Sequence, residues 1–142
     1  MNDTNEPNHA QNHAMYEDAY PLQKHLGFRM VDWKEDYARF ELPMQDFLGN
    51  RYGIPHGGVY ATLADTVMGF CGCYTGDTES RKMAMTLSLN VSYLAQMKGK
   101  LIIGEGFRTG GGRKTFFADA KISDDEGVLI ATASGVFRYR TG

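Results

Sequence analysis

The chain has 142 residues, of which 42% are hydrophobic and 23% are charged, and its formal net charge is -2. This length is enough for a single domain with a substantial core, and the small net charge gives no general reason to expect binding to nucleic acid or to an anionic membrane. No span reaches the roughly 18 uninterrupted apolar residues of a membrane helix, and no basic start precedes an apolar run, so we expect a soluble cytoplasmic protein.

Residues 1–16 are predicted to form a loosely ordered tail, followed by one domain at residues 17–142. The tail contains His9 and His13, and two histidines four residues apart could bind a metal if they lay on a helix. Such an Asn-rich, polar stretch has little reason to be helical. We therefore predict no metal site.

The domain is predicted to begin with a short helix and a strand. The helix covers residues 17–26, with Pro21 near its start and Gly27 directly after it. Proline is favoured in the first turn of a helix and glycine at its C-terminal cap. Residues 37–44 are predicted to form the first strand.

The central segment, residues 57–76, contains no charged residue except Asp65. We predict a helix over residues 55–74, closed by the turn Thr75-Gly76-Asp77. A carboxylate withdrawn from water is costly unless something compensates it. Asp65 is therefore held by local hydrogen bonds, faces solvent, or belongs to a functional site.

Gly57 and Gly58 lie in the first turn of this helix, shortly after Pro55. They leave the unpaired backbone N–H groups uncovered, so a carbonyl oxygen that becomes anionic would be stabilised there by fixed donors and by the helix dipole. At about 1.5 Å per residue, Asp65 lies roughly 12 Å farther along the axis than Gly57. One small reacting group cannot contact both, so a reaction that uses both needs two copies of the chain.

The rest of the chain is predicted to be sheet. In residues 85–93 apolar and polar residues alternate, and we expect the apolar side chains to face the helix, namely Leu87, Leu89, Val91 and Tyr93. Three further strands are predicted at residues 101–109, 113–123 and 128–140. Short connections join antiparallel neighbours, and one long helix with a strand meander predicts an α+β fold.

Several familiar catalytic motifs are absent from the sequence. Cys71 and Cys73 have neither the Cys-x-x-Cys spacing of zinc and redox sites nor the pattern of a disulfide framework, so we expect buried free thiols. No Gly-x-Ser-x-Gly elbow occurs, which argues against a serine hydrolase. The glycine-rich run at residues 110–114 lacks the spacing of a phosphate-binding P-loop.

Asn50, His56-Gly57-Gly58 and Leu63-Ala64-Asp65 together resemble the hotdog-fold acyl-CoA thioesterases of the PaaI-like, phenylacetate-pathway type. The likeness covers roughly residues 20–140, and its specific part is the spacing between the His-Gly-Gly and Leu-Ala-Asp motifs. It implies a long helix wrapped by an antiparallel sheet, and a homodimer or a dimer of dimers. It also implies hydrolysis of a CoA thioester without a metal or an organic cofactor.

The resemblance implies roles for these residues. Asp65 would deprotonate a water molecule or, as a less favoured route, attack the thioester carbon and form an anhydride. The Asn50 amide and the Gly57 N–H would polarise the carbonyl group, with His56 supporting that end. Without the resemblance, Asn50 is by default a turn residue, and a histidine at a helix start more often orders the loop.

Thr86 matches the position at which related thioesterases can carry a hydroxyl group that helps to hold the water, with Ser88 as the fallback. Thr86 could equally belong to the polar face of a strand. Substrate binding is implied for Gly58, Gly112, Arg113 and Lys114. The two basic residues would contact the CoA phosphates, although a glycine turn between strands needs no ligand.

Two other functions stay open on sequence. The same fold could bind an acyl-CoA or a lipid without catalysis, and such a module would not need Asp65. A hotdog hydratase or dehydratase is disfavoured, because those enzymes arrange their histidine and acid differently. The acyl group would be selected by a tunnel whose predicted lining is Tyr60, Met68, Phe70 and Met85.

Overall fold

The computed structural model describes residues 17–141, so the predicted tail with His9 and His13 lies outside the described residues. Its elements are α1 (Pro21–Leu26), β1 (Arg29–Lys34), β2 (Tyr37–Pro43), a 3-10 helix (Asp46–Leu48), α2 (Gly57–Cys71), β3 (Ala84–Tyr93), β4 (Leu101–Gly111), β5 (Thr115–Asp124) and β6 (Leu129–Tyr139). Across this described part of the chain, no helix is long and apolar enough to cross a membrane.

The six strands form one sheet in the order β1-β2-β4-β5-β6-β3. All neighbouring strands pair in the antiparallel direction. The long helix α2 packs on one face of this sheet, chiefly against β4, β5 and β2. This arrangement confirms the α+β prediction and is the hotdog architecture that the resemblance implies.

Glycines in β4 let α2 pack close to the sheet. A Cβ atom at Gly104 would clash with the side chain of Leu63, and one at Gly106 would clash with the Val67 carbonyl group. Because both glycines lack side chains, Leu63 and Val67 are fully buried against the sheet. This packing holds one side of α2 in the core, while Asp65 on another side is only half-buried.

The helix α2 is shorter at both ends than the predicted residues 55–74. Pro55 pairs with Gly49 in an isolated bridge, so the chain is still extended there, and His56 is the N-cap. At the other end Gly72 caps the helix. The first turn of α2 therefore begins at the glycine pair.

The N-terminal elements also differ from the prediction. α1 begins at Pro21 and so is shorter than predicted, whereas its predicted end is confirmed by Gly27, which adopts the left-handed conformation of a helix cap. β1 has no clear signal in the sequence, because Met30 and Val31 are adjacent apolar residues and the pairing with β2 shifts between Met30 and Asp32. This bulged edge strand does not alternate regularly.

A bulge in β3 changes the face on which its side chains lie. Its pairing with β6 shifts between Thr86 and Ser88, where Leu87 is the extra residue. Thr86 therefore pairs with the buried Phe137. The residues on the helix side are Ala84, Thr86, Leu89, Val91 and Tyr93. The predicted inward face is thus right beyond the bulge and wrong for Leu87, the bulged residue, which has no partner in β6.

Candidate active site

The loop before α2 builds the predicted carbonyl-binding end. The Asn50 side-chain Oδ1 accepts a hydrogen bond of 2.8 Å from the Tyr52 N–H group. This is a common turn role of asparagine. Asn50 and Gly57 also line one cavity of about 370 Å³, together with Tyr60 and Tyr93. The structure therefore brings these two predicted site residues together within one chain.

His56 caps the N-terminus of α2. Its Nδ1 atom accepts a hydrogen bond of 2.9 Å from the Gly58 N–H group. Since this nitrogen accepts, the neutral ring carries its proton on Nε2. His56 thus orders the start of the helix, nine residues before Asp65 in the sequence.

The Gly57 N–H group is an open donor at this helix end. The Gly58 and Val59 N–H groups both donate to His56, whereas the Gly57 N–H donates to no group within residues 17–141. The helix dipole adds partial positive charge here. Burial raises the pKa of Tyr60 to about 12, so its hydroxyl is protonated at neutral pH. Every residue in the range 17–141 that lines this cavity is uncharged.

Asp65 contacts Thr86 across the gap between α2 and β3. The Asp65 Oδ1 atom accepts a hydrogen bond of 2.7 Å from the Thr86 hydroxyl group. The bulge makes this contact possible, because it places Thr86 on the helix side of β3. Ser88, beyond the bulge, pairs with Val136 and accepts a hydrogen bond from Asn90 instead. Of the two predicted hydroxyls, only Thr86 reaches the carboxylate.

Asp65 and Thr86 line a second cavity, of about 510 Å³. Its lining combines apolar and charged residues, among them Phe70, Phe137, Glu17, Asp18, Arg81 and Lys82. Tyr20 also lies on this cavity and shares a hydrogen bond of 3.2 Å with Thr66. Burial raises the pKa of Tyr20, and the charge of Asp65 raises it further, so the phenol stays neutral.

The two cavities lie at different positions along α2. Gly57 and Asp65 are eight residues apart in one continuous helix, which corresponds to about 12 Å along its axis. No described residue lines both cavities. Within one chain, the predicted carbonyl-binding groups and the predicted base are therefore separate.

The predicted phosphate-contacting residues occupy the exposed turn between β4 and β5, namely Gly112, Arg113 and Lys114. They line neither of the two cavities. At the end of β6, the Tyr139 N–H group bonds to this turn and the Arg140 N–H group bonds to the chain just before β3. The turn therefore lies at the same end of the sheet as Arg81 and Lys82.

Of the four residues predicted to line the acyl tunnel, two line one of these cavities and two do not. Tyr60 lines the cavity at Gly57, and Phe70 lines the cavity at Asp65. Met68 is fully buried in the core, whereas Met85 is exposed and pairs with Arg138 before the bulge. Neither methionine lines either of these two cavities. The prediction included both because spacing along a helix or strand does not distinguish a core position from a cavity wall.

The two cysteines are poor nucleophiles. Both are buried and free, and burial raises the pKa of each thiol, Cys71 and Cys73, to about 12. Both thiols are therefore protonated near neutral pH. In the described part of the chain, no group of three or more His, Cys, Asp or Glu side chains is placed to hold a metal ion.

Asp124 shows how a structural carboxylate differs from Asp65. Its side chain accepts hydrogen bonds from four backbone N–H groups, those of Lys98, Gly99, Glu126 and Val128. Burial alone would raise the pKa of Asp124, but these donors outweigh it and lower the pKa to about 2. Asp65 has a single hydroxyl donor in the described structure. Its Oδ2 atom accepts no hydrogen bond from residues 17–141.

Several residues that line these cavities were not predicted as site residues, among them Arg81, Lys82 and Tyr93. The available signal for the first two is a basic pair directly before the strand that carries Thr86. Tyr93 ends the alternating strand, and no local pattern indicates that it reaches Gly57.

Known proteins share the fold and part of the sequence. A family model described as the thioesterase superfamily matches residues 52–131. A protein of Halobacterium salinarum whose name proposes esterase activity is 30% identical over 131 residues, covering 87% of each chain. The structure of the E. coli PaaI protein, from the phenylacetic acid degradation operon, has a TM-score of 0.77 at 21% identity over 94% of both chains. A Haemophilus influenzae thioesterase has a TM-score of 0.72 at 20% identity, over 84% of this chain and 82% of that one. These two structural likenesses show the fold.

Proposed function

Because this chain belongs to the thioesterase superfamily, we propose that it hydrolyses acyl-CoA thioesters to a free acid and CoA. Membership of the family supports thioester hydrolysis in general. The observation that carries the proposal further is the half-buried Asp65, which accepts a 2.7 Å hydrogen bond from Thr86 and opens onto a cavity. A module that only binds acyl-CoA would not need a carboxylate there.

In the proposed reaction, Asp65 activates a water molecule. Thr86 occupies Oδ1, so Oδ2 is the oxygen that takes the proton. The hydroxide attacks the thioester carbon, and collapse of the tetrahedral intermediate breaks the C–S bond, with the proton passing to the CoA thiolate. In the alternative route, Asp65 attacks that carbon itself and the C–S bond breaks to release CoA thiolate, which takes up a proton. Water then opens the resulting anhydride, which releases the free acid and regenerates Asp65.

The carbonyl oxygen of the substrate is stabilised at the other end of the site. The Gly57 N–H group is an open donor at a helix N-terminus. Because Tyr52 occupies the Asn50 Oδ1 atom, the Asn50 Nδ2 group is the one available to donate. Fixed donors among uncharged side chains stabilise a developing oxyanion strongly.

The base and the carbonyl-binding groups act on one thioester when two chains combine. Since Asp65 and Gly57 of one chain are about 12 Å apart along α2, each site takes Asp65 from one copy and Gly57 and Asn50 from the other. A homodimer with two-fold symmetry then contains two equivalent sites. Assembly of two dimers into a tetramer stays a prediction.

β3 is the strand proposed to join the two copies. In the part of the chain that the structure describes, it lies at an edge of the sheet and pairs only with β6. Exposed apolar residues cluster on and beside it, namely Met83, Met85, Leu87, Leu89, Tyr93 and Leu94. An exposed apolar edge is a template for pairing with another strand. Antiparallel pairing of two β3 strands would extend the sheet and cover this edge.

A substrate panel tests the proposed function. Aryl, short-, medium- and long-chain acyl-CoAs are incubated with the protein and free thiol is measured, while binding of non-hydrolysable acyl-CoA thioethers is measured in parallel. We expect thiol release from at least one class. Binding of the thioethers without thiol release from any class would instead identify a non-catalytic acyl-CoA-binding protein.

We expect Thr86→Val to lower kcat about tenfold with little change in KM, because valine keeps the branched shape and removes the hydrogen bond to Asp65. Ser88→Ala serves as the comparison, since Ser88 lies on the same strand beyond the bulge and makes no contact with the carboxylate. Steady-state kinetics of both variants check this prediction. Equal losses in the two variants would contradict the role assigned to Thr86.

Removing both charges of the β4–β5 turn, with Arg113→Gln and Lys114→Gln, should raise KM for acyl-CoA and leave KM for an acyl-pantetheine thioester unchanged, because only CoA carries the phosphates. The matched control removes two other exposed charges, at Lys34 and Lys121, which lie over aromatic rings of the sheet. Kinetics with both substrates make the comparison. An equal effect on both substrates would assign the turn to stability.

A further inference from the structure

Two tyrosines tie the two ends of α2 to the sheet. The Tyr93 hydroxyl group, at the end of β3, donates a hydrogen bond of 2.6 Å to the Gly57 carbonyl oxygen. The Tyr139 hydroxyl group, at the end of β6, donates one of 2.7 Å to the Gly72 carbonyl oxygen. The two bonds are chemically alike, but only the first lies at the helix end with the proposed oxyanion donor.

The peptide group between Gly57 and Gly58 is held from both sides. Tyr93 binds its carbonyl oxygen, and the Nδ1 atom of His56 accepts its N–H at 2.9 Å. Two consecutive glycines give the backbone unusual freedom at the start of a helix. The two side chains supply the restraint that the glycines lack.

The glycines also leave room for this arrangement. A Cβ atom at Gly57 would lie 3.3 Å from the Tyr93 hydroxyl oxygen, and one at Gly58 would lie 3.0 Å from the His56 Nδ1 atom. Both distances are tighter than ordinary van der Waals contact. The glycine pair therefore lets Tyr93 and His56 close directly onto the backbone, in addition to uncovering the N–H groups.

Tyr93 belongs to the same cavity as the groups that it would position. It lines the 370 Å³ cavity with Asn50 and Gly57. Its ring lies 6.4 Å, centroid to centroid, from the ring of the buried Tyr60. The Tyr93 hydroxyl donates its proton to a backbone oxygen of α2, so that proton is already used within the chain.

From these contacts we infer that Tyr93 is a positioning residue for the carbonyl-binding end. By holding the carbonyl group of Gly57, it fixes the first turn of α2 and with it the direction of the open Gly57 N–H group. A donor stabilises an oxyanion best when it is already oriented before the reaction. The expected effect on turnover rests on the proposed function, whereas the effect on the helix end does not.

The test compares Tyr93→Phe with Tyr139→Phe. Each variant keeps the ring and removes one hydrogen bond to a glycine carbonyl at one end of the same helix. We expect Tyr93→Phe to lower kcat about tenfold with KM within about twofold of wild type, and Tyr139→Phe to leave both within about twofold. Thermal unfolding of the two variants shows whether their stabilities are similar.

Amide hydrogen exchange supplies a readout that needs no substrate. The Gly58 N–H shares a peptide group with the Gly57 carbonyl, and the Cys73 N–H shares one with the Gly72 carbonyl. We expect faster exchange at Gly58 in Tyr93→Phe and at Cys73 in Tyr139→Phe, with no effect at the opposite end.

The outcomes separate this inference from the proposed function. If Gly58 exchange changes as expected but the wild-type protein releases no thiol from any acyl-CoA, the proposed function fails and the restraint on α2 stands. If the wild-type protein is active, an unchanged kcat in Tyr93→Phe overturns the inference. A loss of kcat without a change at Gly58, or an equal loss in Tyr139→Phe, overturns it as well.

Discussion

Replacing Asp65 with asparagine should lower kcat by about 10²-fold or more, while folding and acyl-CoA binding are retained. Asparagine keeps the size of the side chain and an oxygen that can accept the 2.7 Å hydrogen bond from Thr86. It cannot take a proton from water or attack as a carboxylate. Thiol release in single and multiple turnovers, together with binding of an acyl-CoA thioether, checks this expectation.

Asp119→Asn is the matched control for this variant. Asp119 is an exposed carboxylate of β5 that lines neither cavity of the proposed site, so the same change of charge there should leave kcat unchanged. Near-normal thiol release from a folded Asp65→Asn protein would contradict the proposed hydrolysis mechanism. A similar loss in both variants would point to net charge instead of a base.

The second large effect on activity is expected in heterodimers that combine two different variants of the chain. We expect Asn50→Ala and Asp65→Ala each to be nearly inactive as homodimers, because every site then lacks either the carbonyl donor or the base. In a one-to-one heterodimer, one site receives both substitutions and the other receives neither. The heterodimer should therefore recover about half of the wild-type activity, from one intact site of two.

Co-expression with two different affinity tags isolates this heterodimer. Without isolation, random reassortment makes about half of the dimers mixed, so the preparation should recover roughly a quarter of wild-type activity. Each parent protein is checked for folding and for dimerisation. No recovery of activity after confirmed mixing would mean that Asn50 and Asp65 do not act in alternating copies of the chain.

The sequence by itself determined the elements that depend on local pattern. The segment that contains Asp65 as its only charge is a helix, and the glycine pair lies at its start. Because the rise of a helix per residue is constant, the spacing of Gly57 and Asp65 already implies a separation of about 12 Å. The antiparallel strands that follow were predictable for the same reason, since alternation and turn residues are local signals.

The tertiary structure decided which side chains meet these local elements. Regular alternation assigns Thr86 to the polar face of its strand, but the bulge turns it toward Asp65, 21 residues away in the sequence. Tyr93 reaches Gly57 across 36 residues. A bulge is defined by the register between β3 and β6, and these contacts by the packing of α2 on the sheet. The bulge and these contacts both depend on how separate segments pack together. The residue pattern of a single segment therefore cannot predict them.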